Sequence, residues 1–272
     1  MPASEAGHAS RARRLSVGEP VVLFDGRGGE GAGVIVRCAS QHVEVAVDKL
    51  VHQPRPRPAL TLAVAMPKGP RQDTLIAKCA ELGMAGLQPV LTERSICRAS
   101  EHKLDKWRKI TIEAAKQSQQ AWLPAMAGNL ELADFLRRLA RPREGTELLG
   151  SSSLSKRPSD AEVNPGIEDI WREQFDRILL ADTATTGPTA AAASIRGLLD
   201  DLESCKNVLA FVGPEGGWTK DEIRWILETR ATPVSLGPNI LRIETAAIAL
   251  AAFFHGLASK DNAEPPLDEM EY

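Results

Sequence analysis

Apolar residues alternate with others at a period of two over residues 21–23, 34–36 and 43–47, a pattern that predicts short β-strands. Turn-forming residues separate these runs, above all Asp25-Gly26-Arg27-Gly28-Gly29-Glu30-Gly31. Then comes Pro54-Arg55-Pro56-Arg57-Pro58. Each proline removes a backbone donor and fixes φ, so regular pairing breaks here and a boundary is placed after residue 57. Beyond it, short apolar runs at 61–66, 87–91, 178–181 and 208–212 alternate with helical spacing at 74–82 (Leu75, Cys79, Leu82), 103–120 and 244–258. That alternation predicts an α/β domain with a mainly parallel sheet. The expected organisation is a β-rich unit over 1–57, an α/β unit over 58–260 and a disordered acidic tail over 261–272. The stretch 151–173, rich in Ser, Pro, Asp and Glu, is expected to form a long surface loop.

Composition narrows the function classes. The chain has 272 residues, 43% of them hydrophobic, enough to bury a substantial core. Cys38, Cys79, Cys97 and Cys205 stand far apart with no C-x-x-C pair. This argues against a disulfide framework or a zinc site and suits a reducing cytosol. The scattered histidines give no metal cluster, so no metal is expected. No apolar stretch is long enough to cross a bilayer, and the N-terminus lacks a signal-like core, so the expected location is cytoplasmic. The net charge of −3 does not mark a nucleic-acid binder. Residues 66–120, however, carry ten Lys and Arg against six Asp and Glu, a local bias compatible with phosphate contacts.

Gly26-Arg27-Gly28-Gly29-Glu30-Gly31 satisfies the dinucleotide pattern G-x-G-x-x-G. That pattern has meaning only where a helix follows to hold a pyrophosphate, and here another strand follows. It is read as a hairpin turn. A stronger signal is Val212-Gly213-Pro214-Glu215-Gly216-Gly217 at the end of the 208–212 strand. Its glycines permit positive φ and close approach of a ligand to bare backbone. Thr219-Lys220-Asp221-Glu222 has capping-box spacing, so a helix starts at once. A strand, glycine turn and helix is where α/β sheets hold small molecules, although a bare β–α connection has the same pattern. A second such turn, Leu236-Gly237-Pro238-Asn239-Ile240-Leu241-Arg242, again leads into a helix with Glu244 in its first turn. Glu244 is also what a helix N-terminus favours without any chemistry. Lys68-Gly69-Pro70-Arg71 and Lys116-Gln117-Ser118 are further polar groups at element ends, readable as phosphate contacts or as solvated charge.

Taken in order, these stretches resemble the RsmE-type 16S ribosomal RNA uracil-N3 methyltransferases, of the SPOUT class of knotted methyltransferases. The resemblance rests on Val22 to Glu30, Ala65-Met66-Pro67-Lys68-Gly69, Glu81-Leu82-Gly83 and Thr92-Glu93-Arg94-Ser95. It continues through Glu113 to Ser118, Val212 to Gly217, and Ile240-Leu241-Arg242-Ile243-Glu244-Thr245-Ala246. It implies a small N-terminal PUA-like β-barrel that helps bind RNA, and a C-terminal α/β SPOUT domain threaded into a trefoil knot. It further implies a homodimer, with 16S ribosomal RNA or the small ribosomal subunit as partner. Four departures stand out. Little precedes His8, so the barrel is expected to be incomplete or the start codon placed late. Asn239 stands where Arg is common, Gln119-Gln120 where an Arg is usual, and Pro70 where an acidic residue is frequent.

The implied cofactor is S-adenosyl-L-methionine. The resemblance places it on Leu180, Val212, Gly213, Glu215, Gly216, Gly217, Leu236, Gly237, Ile240, Leu241, Thr245 and Ala246. Arg242 is assigned to stabilising the anionic base or positioning a phosphate. Glu244, or alternatively Glu215, is the candidate proton acceptor. Lys68, Arg71, Arg94, Lys116 and Gln117 are the candidate RNA contacts. Two other readings remain open: a related knotted enzyme acting on tRNA or a ribose 2′-hydroxyl, and a non-catalytic ribosomal RNA-binding assembly factor.

Overall fold

The computed structural model describes residues 16–39, 42–95, 101–140, 175–182 and 192–258. The region around His8, the polar stretch 151–173 and the acidic tail 261–272 lie outside the described residues. The chain divides into two compact units that part between Arg55 and Pro56.

The first unit contains a three-stranded antiparallel sheet in the order β1 (Pro20–Phe24), β2 (Gly29–Ala39), β3 (His42–His52). The glycine pattern forms the β1–β2 hairpin. Asp25 Oδ1 accepts from the backbone N–H of Arg27 (2.6 Å) and Gly29 (2.9 Å). Gly26 and Gly28 take φ of 74° and 96°, values that favour glycine. No helix follows, so no phosphate cradle is built.

The second unit runs through β4 (Ala59–Val64), α1 (Arg71–Glu81), β5 (Gly86–Leu91), α2 (Glu101–Gln117), β6 (Ala125–Met126), β7 (Leu130–Glu131) and α3 (Leu132–Ala140). It continues with β8 (Arg177–Ala181), β9 (Ala193–Ser194), a 3₁₀ turn (Ile195–Leu198), α4 (Leu199–Glu203), β10 (Asn207–Val212), α5 (Lys220–Glu228), β11 (Thr232–Ser235) and α6 (Ile243–Leu257). The strands form one sheet in the order β6-β5-β4-β10-β8-β11-β9, with β7 also on β5. Every pairing in it is parallel.

Period-two alternation sends side chains to both faces of this sheet. Leu60, Leu62 and Val64 of β4 and Val208, Ala210 and Val212 of β10 join one core cluster with residues of α1, α2 and α6. Ala63 of β4 and Leu209 and Phe211 of β10 face the other way, onto Phe135 of α3 and Ile223 and Ile226 of α5. Covered on both faces, the central strands read as nearly continuous apolar runs, with Thr61 buried in β4.

Helix ends differ from the sequence expectation for local reasons. α1 begins at Arg71 rather than near 74 because Pro70, with φ −67°, sits at its N-cap, where a missing N–H costs nothing. α2 stops at Gln117, short of 120, where Gln119 turns to φ 54°. β6, β7, β9 and α4 span too few residues to show any periodicity. α3 lies where the apolar pattern predicts no element.

Two carboxylates fasten backbone at strand and helix ends. Glu222, 4% exposed, accepts from Thr219 N through Oε2 and from Glu93 N through Oε1, each at 2.8 Å. Thr219 Oγ1 in turn accepts from Glu222 N, which completes a capping box. Asp176 Oδ2 accepts from Lys206 N (2.7 Å) and Asn207 N (2.9 Å). Its carboxyl is held below the usual aspartate range, chiefly by the Asn207 N–H.

Removing the Glu222 carboxylate strands two backbone donors. Glu222→Ala is expected to lose about 2–3 kcal/mol in urea unfolding, and Glu222→Gln less. Because the Asp176 value is depressed on folding, its stabilisation is present above the ordinary aspartate value of about 3.9 and is lost as pH falls through the lowered value. The urea midpoint of the wild type should therefore fall more steeply with acidification below about pH 4 than that of Asp176→Asn.

Candidate functional site

A cleft of about 640 Å³ opens beyond the C-terminal ends of β8, β10 and β11, within the size range of small-molecule sites. The chain leaves β4 toward β5 and later returns to β8, with β10 filling the gap between β4 and β8. Connections diverge at such a place, and loops beyond the strand ends leave a crevice.

Three loops and two helix starts build the walls. Ala181 and Asp182 continue from β8. Val212, Gly213, Pro214, Glu215, Gly217 and Trp218 form the glycine turn after β10. Leu236, Ile240, Leu241, Arg242, Ile243 and Ala246 come from the turn after β11 and the first turn of α6. Arg71, the first residue of α1, completes the lining.

The glycines of the first turn are required for different reasons. A Cβ on Gly213 would lie 2.6 Å from Trp218 Nε1, so glycine here makes room for the indole. A Cβ on Gly216 would meet Arg94 Cδ at 3.3 Å, a tight approach. Gly217 has open space around it but a φ of +70°, which favours glycine on backbone grounds alone.

The charged groups fall into two sets. Arg71 Nη1 lies 2.5 Å from Glu215 Oε1 and 3.9 Å from Glu244 Oε2. Arg94 Nη1 donates to Gly216 O at 2.7 Å. Arg242 and Lys68, in contrast, are exposed and have no ion pair among the described residues. Arg242 is the N-cap residue of α6, with φ −68° and ψ 158°, and its side chain makes no capping bond. Among the described residues, two buried polar atoms around the cleft have no hydrogen-bond partner: Glu244 Oε2 and Trp218 Nε1.

Of the residues expected to hold a cofactor, Val212, Gly213, Glu215, Gly217, Leu236, Ile240, Leu241 and Ala246 line the cleft, as does Arg242. Leu180 lies fully buried in β8, one residue short of the lining. Gly216, Gly237 and Thr245 stand exposed beside lining residues. Glu244 adjoins the lining through Arg71. Lys116 and Gln117, at the end of α2, are outside the lining, and Lys116 pairs with Glu113 at 2.8 Å. Sequence reasoning did not single out Ala181, Asp182 or Trp218, and it placed Pro214 and Ile243 within motifs without giving them a site role. Asp182 carried a signal, a carboxylate at the end of a buried strand. Trp218 gave one too, an aromatic between two glycines and a helix cap.

Comparison with known proteins agrees with this architecture. The model of a family described as RNA methyltransferase domain matches residues 53–255. The chain is similar to the ribosomal RNA small subunit methyltransferase E of Synechocystis sp., 31% identical over 245 residues that cover 90% of this chain and 68% of that one. It is also similar to the protein of the same name from Mycobacterium bovis, at 28% identity over 253 residues and 91% and 82% coverage. Among solved structures it resembles a ribosomal RNA small subunit methyltransferase E from Neisseria gonorrhoeae bound to S-adenosyl methionine. The TM-score there is 0.71, at 25% identity, and the match covers 94% of this chain and 90% of that one.

Gly213→Ala tests the close packing of the turn. The added methyl must push the Trp218 ring aside, so a loss of about 1–3 kcal/mol is expected in urea unfolding. Gly217→Ala, with no neighbour to displace, should cost about 1 kcal/mol through backbone strain alone.

Proposed function

The chain belongs to the RNA methyltransferase family, and from that premise we propose that it methylates N3 of a specific uridine in 16S ribosomal RNA, with S-adenosyl-L-methionine as donor. The observation that carries the proposal is the cleft at the ends of β8, β10 and β11, walled by two glycine-bearing turns and rimmed by Arg242, whose exposed side chain makes no ion pair among the described residues.

The residues present fit that cofactor. The cleft has the right order of size, and Leu236, Ile240 and Leu241 supply an apolar wall for an adenine ring. Buried Trp218 Nε1 is a donor without an acceptor beside the turn. When bound, the cofactor supplies a methyl group already activated on a sulfonium. The chain's task is then to orient two reactants and manage one proton. Backbone groups of Gly213 to Gly217 and of Leu236 to Leu241 bind and orient the donor, with Gly237, Thr245 and Ala246 shaping the wall. Arg242 offers its guanidinium to the negative charge that develops on the uracil ring as N3 loses its proton. Glu215 is engaged by Arg71, whereas Glu244 keeps a buried oxygen without a hydrogen bond, so the proton acceptor is assigned to Glu244. The exposed Lys68 contacts a phosphate, and Lys116 and Gln117 contact RNA outside the cleft. Since N3 lies on the pairing edge of uracil, the target base must be unpaired or turned out of its stack.

The same reading makes the first unit a PUA-like RNA-binding barrel and the second a trefoil-knotted SPOUT domain. It makes the protein a cytoplasmic homodimer. Support for the dimer comes from α6, an Ala-rich helix that leaves Ala252 exposed and Phe253 half-buried. Among the described residues, no helix is long and apolar enough to cross a membrane, and no group of His, Cys, Asp and Glu is placed to hold a metal ion.

Labelled S-adenosylmethionine, small ribosomal subunits lacking the modification and nucleoside analysis of the product test the proposal. The expected product is 3-methyluridine. Arg242→Ala should slow its formation by about a hundredfold or more while the cofactor Kd changes little. Label on a ribose or on tRNA would transfer the protein to a related activity. No transfer, despite binding of cofactor and subunit, would leave an assembly role as the better account.

A further inference from the structure

Two arginines that the sequence offers as phosphate contacts instead reach consecutive residues of the glycine turn. Arg71 reaches Glu215 at 2.5 Å from the start of α1. Arg94 reaches the Gly216 carbonyl at 2.7 Å from the turn after β5. The same Arg71 nitrogen lies 3.9 Å from Glu244 in α6. One guanidinium thus stands between the glycine turn and the first turn of α6.

We propose that Arg71 and Arg94 are positioning residues that brace the Glu215–Gly216 peptide in its cofactor-binding shape, and that they are not RNA phosphate contacts. The inference rests on the methyltransferase reading above and deepens it.

The brace from Arg94 is rigid because its own turn is fixed. Ser95 Oγ accepts from Thr92 N at 2.9 Å, and Ser95 N donates to Thr92 O at 3.0 Å. Glu93 N is held by Glu222 at 2.8 Å. The Arg94 aliphatic chain then lies against bare Gly216, where a Cβ would be 3.3 Å from its Cδ. The Arg71 brace is rigid because Pro70 starts the helix at residue 71 and points its first side chain at the cleft. Arg71 already holds a carboxylate and Arg94 a carbonyl, so each must give up that partner before its guanidinium fork can turn onto a phosphate. Without either brace, a turn rich in glycine samples many backbone shapes, and the cofactor must bear the cost of ordering it.

The test compares wild type with Arg71→Met, Arg94→Ala, Glu215→Gln and the Arg71→Met/Glu215→Gln double variant in the full chain. Calorimetry reads the Kd for S-adenosylmethionine. Filter binding at several salt concentrations reads the affinity for small-subunit RNA, and steady-state kinetics read KM for the cofactor against kcat. Thermal unfolding identifies any variant that is merely unstable. The expected result is cofactor binding weakened about three- to tenfold in each single variant, mainly as raised KM. The double variant should be no worse than Arg71→Met within about twofold, because both changes remove one contact. The slope of log affinity for RNA against log salt should stay as in wild type. A slope reduced by about one in Arg71→Met or Arg94→Ala, with cofactor Kd unchanged, is the signature of a lost phosphate contact and would overturn the proposal. Wild-type protein that fails to bind S-adenosylmethionine would instead overturn the functional reading on which it rests.

Discussion

Strand β10 has both edges occupied, by β4 from Asn207↔Ala59 to Val212↔Val64 and by β8 from Val208↔Arg177 to Val212↔Ala181. A strand buried on both faces has no water for its amides, so these ladders are the means of satisfying them. The pairing also fixes where Val212 ends, level with Val64 and Ala181. The glycine turn must start there, flanked by the segments that leave β4 and β8. Arg71, Asp182 and the glycine turn meet around one cleft because their strands finish side by side.

Much of this was legible because long-range order arises from simple periodicity. The apolar runs at 61–66, 87–91 and 208–212 became β4, β5 and β10, and the Ala-rich stretch after Glu244 became α6. The capping-box spacing of Thr219 and Glu222 appears as reciprocal hydrogen bonds. What stayed hidden was of two kinds. Two-residue strands such as β6 and β7 have no period to detect, and they exist only because β5 offers them a free edge. Pairing across the site was hidden as well. Nothing in Lys68-Gly69-Pro70-Arg71 tells which cation meets a carboxylate more than a hundred residues away. In the structure, Lys68 points to solvent and Arg71 to Glu215.

The glycine turn illustrates how one composition can answer several demands. Gly213 yields to an indole, Gly216 to an aliphatic arginine chain, and Gly217 to a backbone angle. The sequence shows only that glycines are present. Neighbours from the turn after β5 and from the glycine turn itself decide what each is for. Burial likewise settles the character of Cys79, whose thiol is pushed up to about 12 inside the core. It is a packing residue there, not a reactive one.

The order in which the cleft's walls occur along the chain bears on how the protein comes into being. Arg71 and the ends of β8 and β10 are made first, but Leu236 to Ala246 supply the far wall and belong to the last elements of the second unit. Synthesis proceeds from the N-terminus and domains form as units. A nascent chain halted before α6 would therefore lack Leu250 and Phe254, which pack in the core of the sheet, and would have no closed cleft. The cleft is complete only once α6, the last helix among the described residues, has been made.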